Sequence, residues 1–544
     1  MWISGWREKI WSSLDQPFDL IVIGGGITGG GVFLEATRAG LKCLLVEAHD
    51  FASGTSSRSS KLVHGGFRYL KNGQLKMTFD SVRERELLLR EGRGLVTQLG
   101  FIIASYKGDR IPTWALGLGL TFYDLMALKW GHQYYPAERL LDLCPPLNSK
   151  NLLGGYRYFD ALTDDARLVL RIIREGVHQG GWALNYARVD DILCTNSGKV
   201  CGIHLRDISP DGRNRTVEVE AFAVVNATGV WADEVHKLGI QSIDDDNHKE
   251  TLIRKLRGSH LVFPSERLSI NRAVSIWHPR DKRPVFTFPW EGVTLIGTTD
   301  VDHGSNVETD PAISQAEIEY LLEAIKFTFP GLKLGVSDVQ STFAGIRAVV
   351  DTGKIDPSKE SREHMLMYED GFLTITGGKL TTFRLMAHQA LNLLKKRIEK
   401  LSFIPPRGQM LARPDFNRLN ELLLDKFKLL RLIGRYGKDT ENLINSADAA
   451  SLTTISSSLN LWAEIRWAAK AEGVIHLDDL LLRRVRLGIL LPCKGLSVID
   501  KIKVIVQEEL DWDEARWEAE LKDYQHLLER SYSTKPAATS EKTN

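Results

Sequence analysis

The chain has 544 residues, 43% of them hydrophobic and 26% charged, and its 70 basic and 69 acidic side chains leave a net charge of +1. These values exclude an extended disordered chain, a collagen-like fibre and a protein built mostly of membrane spans. The near-zero charge argues against general nucleic-acid binding, and the length allows roughly three or four structural units.

In chain order, residues 1–14 (MWISGWREKIWSSL) have helical periodicity, with Trp2, Ile3, Trp6, Ile10 and Leu14 on one face. Two readings stand side by side: an interfacial lipid anchor, and a helix packed on its own domain. Asp19–Ile23 is an apolar, β-branched run that predicts a buried parallel strand. A glycine-dense turn follows, then a helical pattern to Ala39, a stop at Gly40, and a second strand over Leu41–Val46 that ends at Glu47. The stretch forms one βαβ unit.

Inside it, Gly24-x-Gly26-x-x-Gly29 matches the dinucleotide fingerprint. The first glycine permits the tight turn, the second lets the backbone approach a pyrophosphate, and the third allows close helix–strand packing. Glu47 lies 23 residues beyond Gly24, where a carboxylate can take the ribose hydroxyls.

Ile111–Leu128 is the nearest approach to a membrane span, but Pro112, two glycines and Asp124 interrupt it. Further β-rich runs are Phe222–Asn226, leading to Gly229, Val293–Gly297, leading to Thr298, and Leu373–Thr376, leading to Gly377-Gly378-Lys379. From about residue 400 the pattern turns helical, as in Leu419–Leu432 and Leu459–Glu472, and Ser533–Asn544 read as a polar, disordered tail. Five scattered cysteines with no CxxC pair argue against a zinc site or a dithiol redox pair, so no metal is expected. No signal peptide precedes the first strand, since Arg7, Glu8 and Lys9 occupy the place of its apolar core.

An N-terminal fingerprint, flavoprotein-like pieces far along the chain, and no second GxGxxG on a strand favour FAD over a nicotinamide. Electrons would then enter from an organic substrate. Taken in order, the strings DFASGTSSRSSKLVHGGFRYL (50–70), RGSHLVFP (257–264), IGTTD (296–300), AGIR (344–347), DPSKESREH (356–364), TGGKLTTFR (376–384) and HLDDLLLRRVRLG carry a resemblance. From about residue 17 to 490 the chain resembles the FAD-dependent glycerol-3-phosphate dehydrogenases of the respiratory, quinone-linked type.

The resemblance implies an α/β fold: a discontinuous, Rossmann-like FAD-binding domain, a mixed-sheet substrate or cap domain, and an all-α C-terminal domain. The expected division is 1–17 N-terminal amphipathic segment; 18–75, 151–250 and 341–400 FAD-binding; 76–150 and 251–340 cap; 401–532 helical; 533–544 tail. The implied reaction oxidises glycerol 3-phosphate to dihydroxyacetone phosphate and sends the electrons to quinone. Its partners are then a quinone and the inner face of the cytoplasmic membrane, touched peripherally from the cytoplasm, with a homodimer left open. An O₂-using oxidase, a related amine or amino-acid oxidase, and a flavin-binding sensor are the alternatives.

A small phosphate ester needs several fixed cations. Arg68, Tyr69, Thr298, Arg347, Arg362 and Lys379 line its pocket by similarity to the family. Arg347 stands in an apolar run and Lys379 follows two glycines, so an anionic ligand is the natural partner of each, whereas Arg362 sits in a charged run that could equally be a solvated loop. His260 is the natural proton acceptor, or else a core histidine. Ser56, Ser57, Ser60 and Lys61 form a polar cluster suited to the cofactor's phosphates or ribityl chain, and Gly229 and Gly378 to its backbone approach. Ala348 departs from the proline common in the family after the arginine, a change that bears on how firmly Arg347 is placed.

Overall fold

A computed structural model describes residues 2–67, 70, 73–239, 253–304, 307, 310–351, 353, 363–412, 414 and 424–535. The central strands of the first sheet are apolar runs buried on both faces, as parallel strands are. Its members are β1 (Phe18–Ile23), β2 (Cys43–Val46), β7 (Trp182–Leu184), β8 (Ala187–Cys194), β9 (Val200–Asp207), β10 (Thr216–Asn226), β17 (His364–Glu369) and β18 (Phe372–Gly377). The order along the sheet is β17-β18-β10-β1-β2-β7, with β8 and β9 continuing from β10. From β18 through β7 the pairs are parallel. The long β10 serves two layers, since Ala221–Asn226 pairs with β1 while Thr216–Glu220 pairs with β9.

The second sheet holds β3 (Leu62–Val63), β4 (Val96–Tyr106), β5 (Gln133–Pro136), β6 (Leu152–Thr163), β11 (Ile253–Pro264), β12 (Ala273–Trp277), β13 (Pro284–Trp290), β14 (Val293–Gly297), β15 (Val301–Asp302) and β16 (Ser341–Val350). Its pairs are antiparallel apart from β4–β12. Helices Lys426–Tyr436, Trp462–Ala471, Ile499–Leu510 and Glu514–Ser531 make up the C-terminal region. The α/β fold with two sheets and a helical C-terminal region therefore stands as expected.

Strand pairing and burial bear on two expectations. β6 and β16 belong to the second sheet, although 151–250 and 341–400 were assigned whole to the cofactor domain. Each is a long strand whose pairing partners, β4 and β11, lie in the cap. Of the two readings of the N-terminal face, the helix packed on its own domain is the one observed: it spans Trp6–Trp11, and Trp2, Trp11 and Leu14 are buried. Trp2 stacks on Phe51 at 5.1 Å under the guanidinium of Arg174, and Arg7 pairs with Asp207. Burying an indole on the protein's own core withdraws the apolar area a membrane would need. Residues 419–423 of the expected Leu419–Leu432 helix and 536–544 of the tail lie outside the described residues.

Candidate functional site

The carboxyl ends of β1, β10 and β18 converge on one side of the parallel sheet, the edge at which open α/β sheets bind ligands. There β1 runs through Gly24–Gly26 into the helix Ile27–Arg38. Gly24 has φ +109, and a Cβ on it would stand 2.6 Å from the Ala227 carbonyl oxygen. A Cβ on Gly29 would stand 1.9 Å from the Gly24 carbonyl oxygen. The first and third fingerprint glycines are thus required by backbone crossing alone. The Glu47 carboxylate accepts from the Gly25 and His49 amides at 2.7 and 2.8 Å, and burial pushes its carboxyl above the ordinary range. Ser56 Oγ accepts from the Ile27 amide at 2.9 Å, at the positive end of the helix.

A cavity of about 1470 Å³ starts at this turn, with Gly24, Gly26, Glu47, Ser56 and Gly229 on its wall, and continues to Gly378 and Lys379. It exceeds the roughly 300–1,000 Å³ of an ordinary small-ligand pocket, so a dinucleotide and a small second molecule fit together. Glycine-lined backbone at one end, a helix N-terminus and a ribose-ready carboxylate are the donor set FAD requires.

The far wall comes from the second sheet. In the β11–β16 ladder Gly258 faces Gly345 and Leu256 faces Arg347. A Cβ on Gly258 would fall 2.2 Å from the Arg347 guanidinium and 2.6 Å from Thr298 Oγ1, so this glycine makes room for that pair. Arg347 donates to Thr298 Oγ1 at 2.9 Å and pairs with Asp300 at 3.0 Å. Its resident anion is therefore Asp300, and the ligand anion inferred from sequence is not needed to explain its partial burial. Lys379 caps the short 3-10 helix Leu380–Thr382, which runs straight into the helix Phe383–Arg397, and its Nζ donates to Ser81 at 2.7 Å. Thr298, Arg347 and Lys379 all line the cavity.

Other residues fall elsewhere. Arg68, Tyr69 and Arg362 lie outside the described residues. Ser60 is on the cavity wall, but Ser57 and Lys61 are not among its described lining. Lys61 is fully buried, turned to Asp165 at 2.9 Å and to the Ser57 carbonyl at 3.0 Å. Lys61 turns away from the wall that Arg58, Ser59 and Ser60 share, and its ammonium answers Asp165 in the interior, which corrects its expected place at the cofactor's phosphates.

His260 is also absent from the described lining. It is 1% exposed, stacked on Phe343 at 4.6 Å, and reaches the wall through Ser60 Oγ at 2.9 Å. Burial, with the charges of Lys61 and Arg347, holds its pKa well below the ordinary 6.5. The unfolded histidine takes up a proton near pH 6.5 and the folded one does not, so its contribution to stability is full above that pH and is lost as pH falls. His260→Gln is expected to flatten the acid-side fall in melting temperature between about pH 7.5 and 5.5. An unchanged slope would show that His260 is not held neutral.

Two groups were missed from sequence. Asp300, inside the quoted IGTTD string, anchors Arg347. Glu317 accepts from Thr299 Oγ1 at 2.6 Å and Ser259 Oγ at 2.8 Å, fixing the loop next to Thr298. Its signal was the Ser314-x-x-Glu317 capping box, a pattern that marks a helix start and gives no hint of the loop it also grips.

Residues 19–384 match the family described as FAD dependent oxidoreductase, and residues 408–517 the C-terminal domain of alpha-glycerophosphate oxidase. An aerobic glycerol-3-phosphate dehydrogenase of Staphylococcus haemolyticus is 33% identical over 88% of both chains. One of Staphylococcus aureus is 31% identical over 96% of this chain and 97% of its own. The solved glycerol-3-phosphate dehydrogenase of Bacillus halodurans, complexed with FAD, has a TM-score of 0.77 at 26% identity, covering 99% of this chain and all of that one. An L-alpha-glycerophosphate oxidase from Mycoplasma pneumoniae with FAD bound shares the fold, with a TM-score of 0.55 at 18% identity over 72% of this chain and 97% of its own. With its fingerprint turn, its glycine-lined cavity and relatives along nearly its whole length, the chain belongs to the FAD-dependent glycerol-3-phosphate dehydrogenase and oxidase family.

Proposed function

We propose that the protein oxidises sn-glycerol 3-phosphate at C2 to dihydroxyacetone phosphate and passes the electrons to a membrane quinone. One observation carries the reading: a single cavity joins the dinucleotide turn to the Arg347–Thr298 wall and runs on to an exposed apolar helix. FAD, once bound, supplies the acceptor for the C2 hydride. Arg347, oriented by Asp300 and Thr298, stabilises the charge that develops on the C2 oxygen as its proton passes to solvent water. Lys379, Arg68 and Arg362 neutralise the phosphate, with Tyr69 as a further hydrogen-bonding group.

The quinone reading draws on the helix Thr113–Ala127. No helix among the described residues is long and apolar enough to cross a membrane. Yet Trp114, Leu118, Phe122, Leu125, Leu128 and Trp130 are between 50% and 95% exposed, beside the exposed Arg110 and Lys129. Indoles, aliphatic side chains and flanking cations suit a lipid interface. Leu118 and Phe122 also line the cavity, so its mouth opens on this face. The second reading, an oxidase that makes hydrogen peroxide, is favoured by the helical region matching that of alpha-glycerophosphate oxidase. An oxidase has no use for a cavity that reaches such an apolar face.

The test starts with the purified flavoprotein under nitrogen. Glycerol 3-phosphate is expected to bleach it and glycerol is not, and reoxidation by a short-chain quinone is expected to outpace reoxidation by O₂. Fast peroxide production would favour the oxidase. Replacing Trp114, Leu125 and Leu128 together by serine is expected to weaken binding to anionic vesicles by about a thousandfold or more, since each buried side chain contributes roughly 1.5–3 kcal/mol. Unchanged vesicle binding would remove this face as the contact surface.

A further inference from the structure

The helical C-terminal region reaches the cofactor end of the cavity through three buried arginines. Arg483 and Arg484 close the π-helical turn Asp479–Arg484, and Arg486 follows it. They are 3%, 0% and 1% exposed. Arg484 grips Asp50 through two parallel bonds, NH1 to Oδ2 at 2.5 Å and NH2 to Oδ1 at 2.7 Å, and Arg483 Nε adds a third at 2.5 Å. Arg486 donates to the Ser57 carbonyl at 2.7 Å and pairs with Asp165 at 3.0 Å. Arg58, the next residue, donates to the hydroxyl of Tyr532 at the far end of the same region.

The segment held at these two ends is the cofactor loop itself. Ala52, Ser53, Gly54, Thr55 and Ser56 line the cavity between the anchors, and Glu47 stands just before the first. Within it the Ala52 amide donates to the Gly25 carbonyl at 3.0 Å, and Ser56 occupies the Ile27 amide. The loop is thus stitched to the fingerprint turn from inside and to the C-terminal region from outside. A buried ion pair adds little net stability over apolar packing, while the planar guanidinium fork fixes geometry. That balance suits a positioning role.

We propose that Arg483, Arg484 and Arg486 make the C-terminal region a clamp that holds loop 50–58 in the shape that receives FAD. Docking of that region and FAD binding are then thermodynamically linked, each favouring the other. The idea rests on the cofactor placement argued above.

Two measurements test it. In the wild-type protein, hydrogen exchange of peptides covering 50–58 and 479–490 is compared between the apoprotein and the FAD-reconstituted form. Both are expected to gain protection. Protection of 50–58 without 479–490 overturns the clamp and leaves the cofactor placement standing, and protection of neither overturns the placement as well.

The second measurement is the Kd for FAD of Arg484→Gln and Asp50→Asn, and of Arg484→Lys, which keeps the charge and loses the fork. Each is expected to weaken FAD binding about tenfold or more, the loss of one charge-assisted contact. The double variant Asp50→Asn/Arg484→Gln is expected to be no weaker than either single one. The control is Arg431→Gln, whose arginine is also buried and pairs with Glu464 at 2.8 Å and Glu291 at 3.0 Å, away from the loop. It is expected to lose stability at unchanged Kd. An unchanged Kd in folded Arg484→Lys, or an equal loss in Arg431→Gln, refutes the clamp.

Discussion

Asp165→Ala is expected to destabilise the folded protein by about 3–5 kcal/mol, the cost of leaving buried charges uncompensated. Asp165 is fully buried and answers two cations, Lys61 at 2.9 Å and Arg486 at 3.0 Å, besides the amide and hydroxyl of Ser59 at 2.9 and 2.7 Å. Burial, with the nearby Arg486, holds the Lys61 ammonium down at about 8 even with this carboxylate present. Between pH 8 and 10.5 the unfolded lysine binds a proton that the folded one has begun to release, so this group's contribution to stability rises with pH across that window. Removing Asp165 is expected to move the start of the window lower. Adding Lys61→Met should restore part of the loss, because an apolar side chain needs no counter-ion. Urea unfolding of the single and double variants measures both effects. A loss under about 1 kcal/mol would mean that water already reaches the cluster.

Arg347→Ala is expected to lower kcat/KM for glycerol 3-phosphate by about 10- to 100-fold, the equivalent of a charge-assisted contact of roughly 1.5–3 kcal/mol. Flavin content should stay normal, because Arg347 bonds Thr298, Thr299 and Asp300 on the cap wall. Asp300 keeps Arg283 at 3.2 Å as a second partner, so the loop is expected to survive the change. Arg347→Lys should recover little, since an ammonium cannot bridge Thr298 and Asp300 as the guanidinium does. Steady-state kinetics with the flavin-to-protein absorbance ratio separates the outcomes. Loss of flavin would place Arg347 on the cofactor side.

Local rules reached some of the site and stopped short of the rest. The fingerprint was readable because each glycine answers a backbone constraint a few residues away, and Glu47 ends the next strand of the same unit. Ser56 and Lys61 look equivalent in sequence. Yet Ser56 caps the Ile27 amide, while Lys61 turns away to Asp165, a residue about a hundred positions further on. His260 had the right chemistry for a proton acceptor, but the β11–β16 ladder sets it on Phe343 behind Ser60.

By itself the sequence determined the parallel βαβ start, the need for a dinucleotide, the helical C-terminal region and the family, since these depend on short-range periodicity, turn stereochemistry and contiguous motifs. Only the tertiary structure decided that Trp2 and Trp11 face inward, that Asp300 and Glu317 hold the wall around Arg347, and that three C-terminal arginines close on loop 50–58. Those outcomes hinge on which distant charges and apolar faces meet when the chain packs, and no local pattern records that meeting.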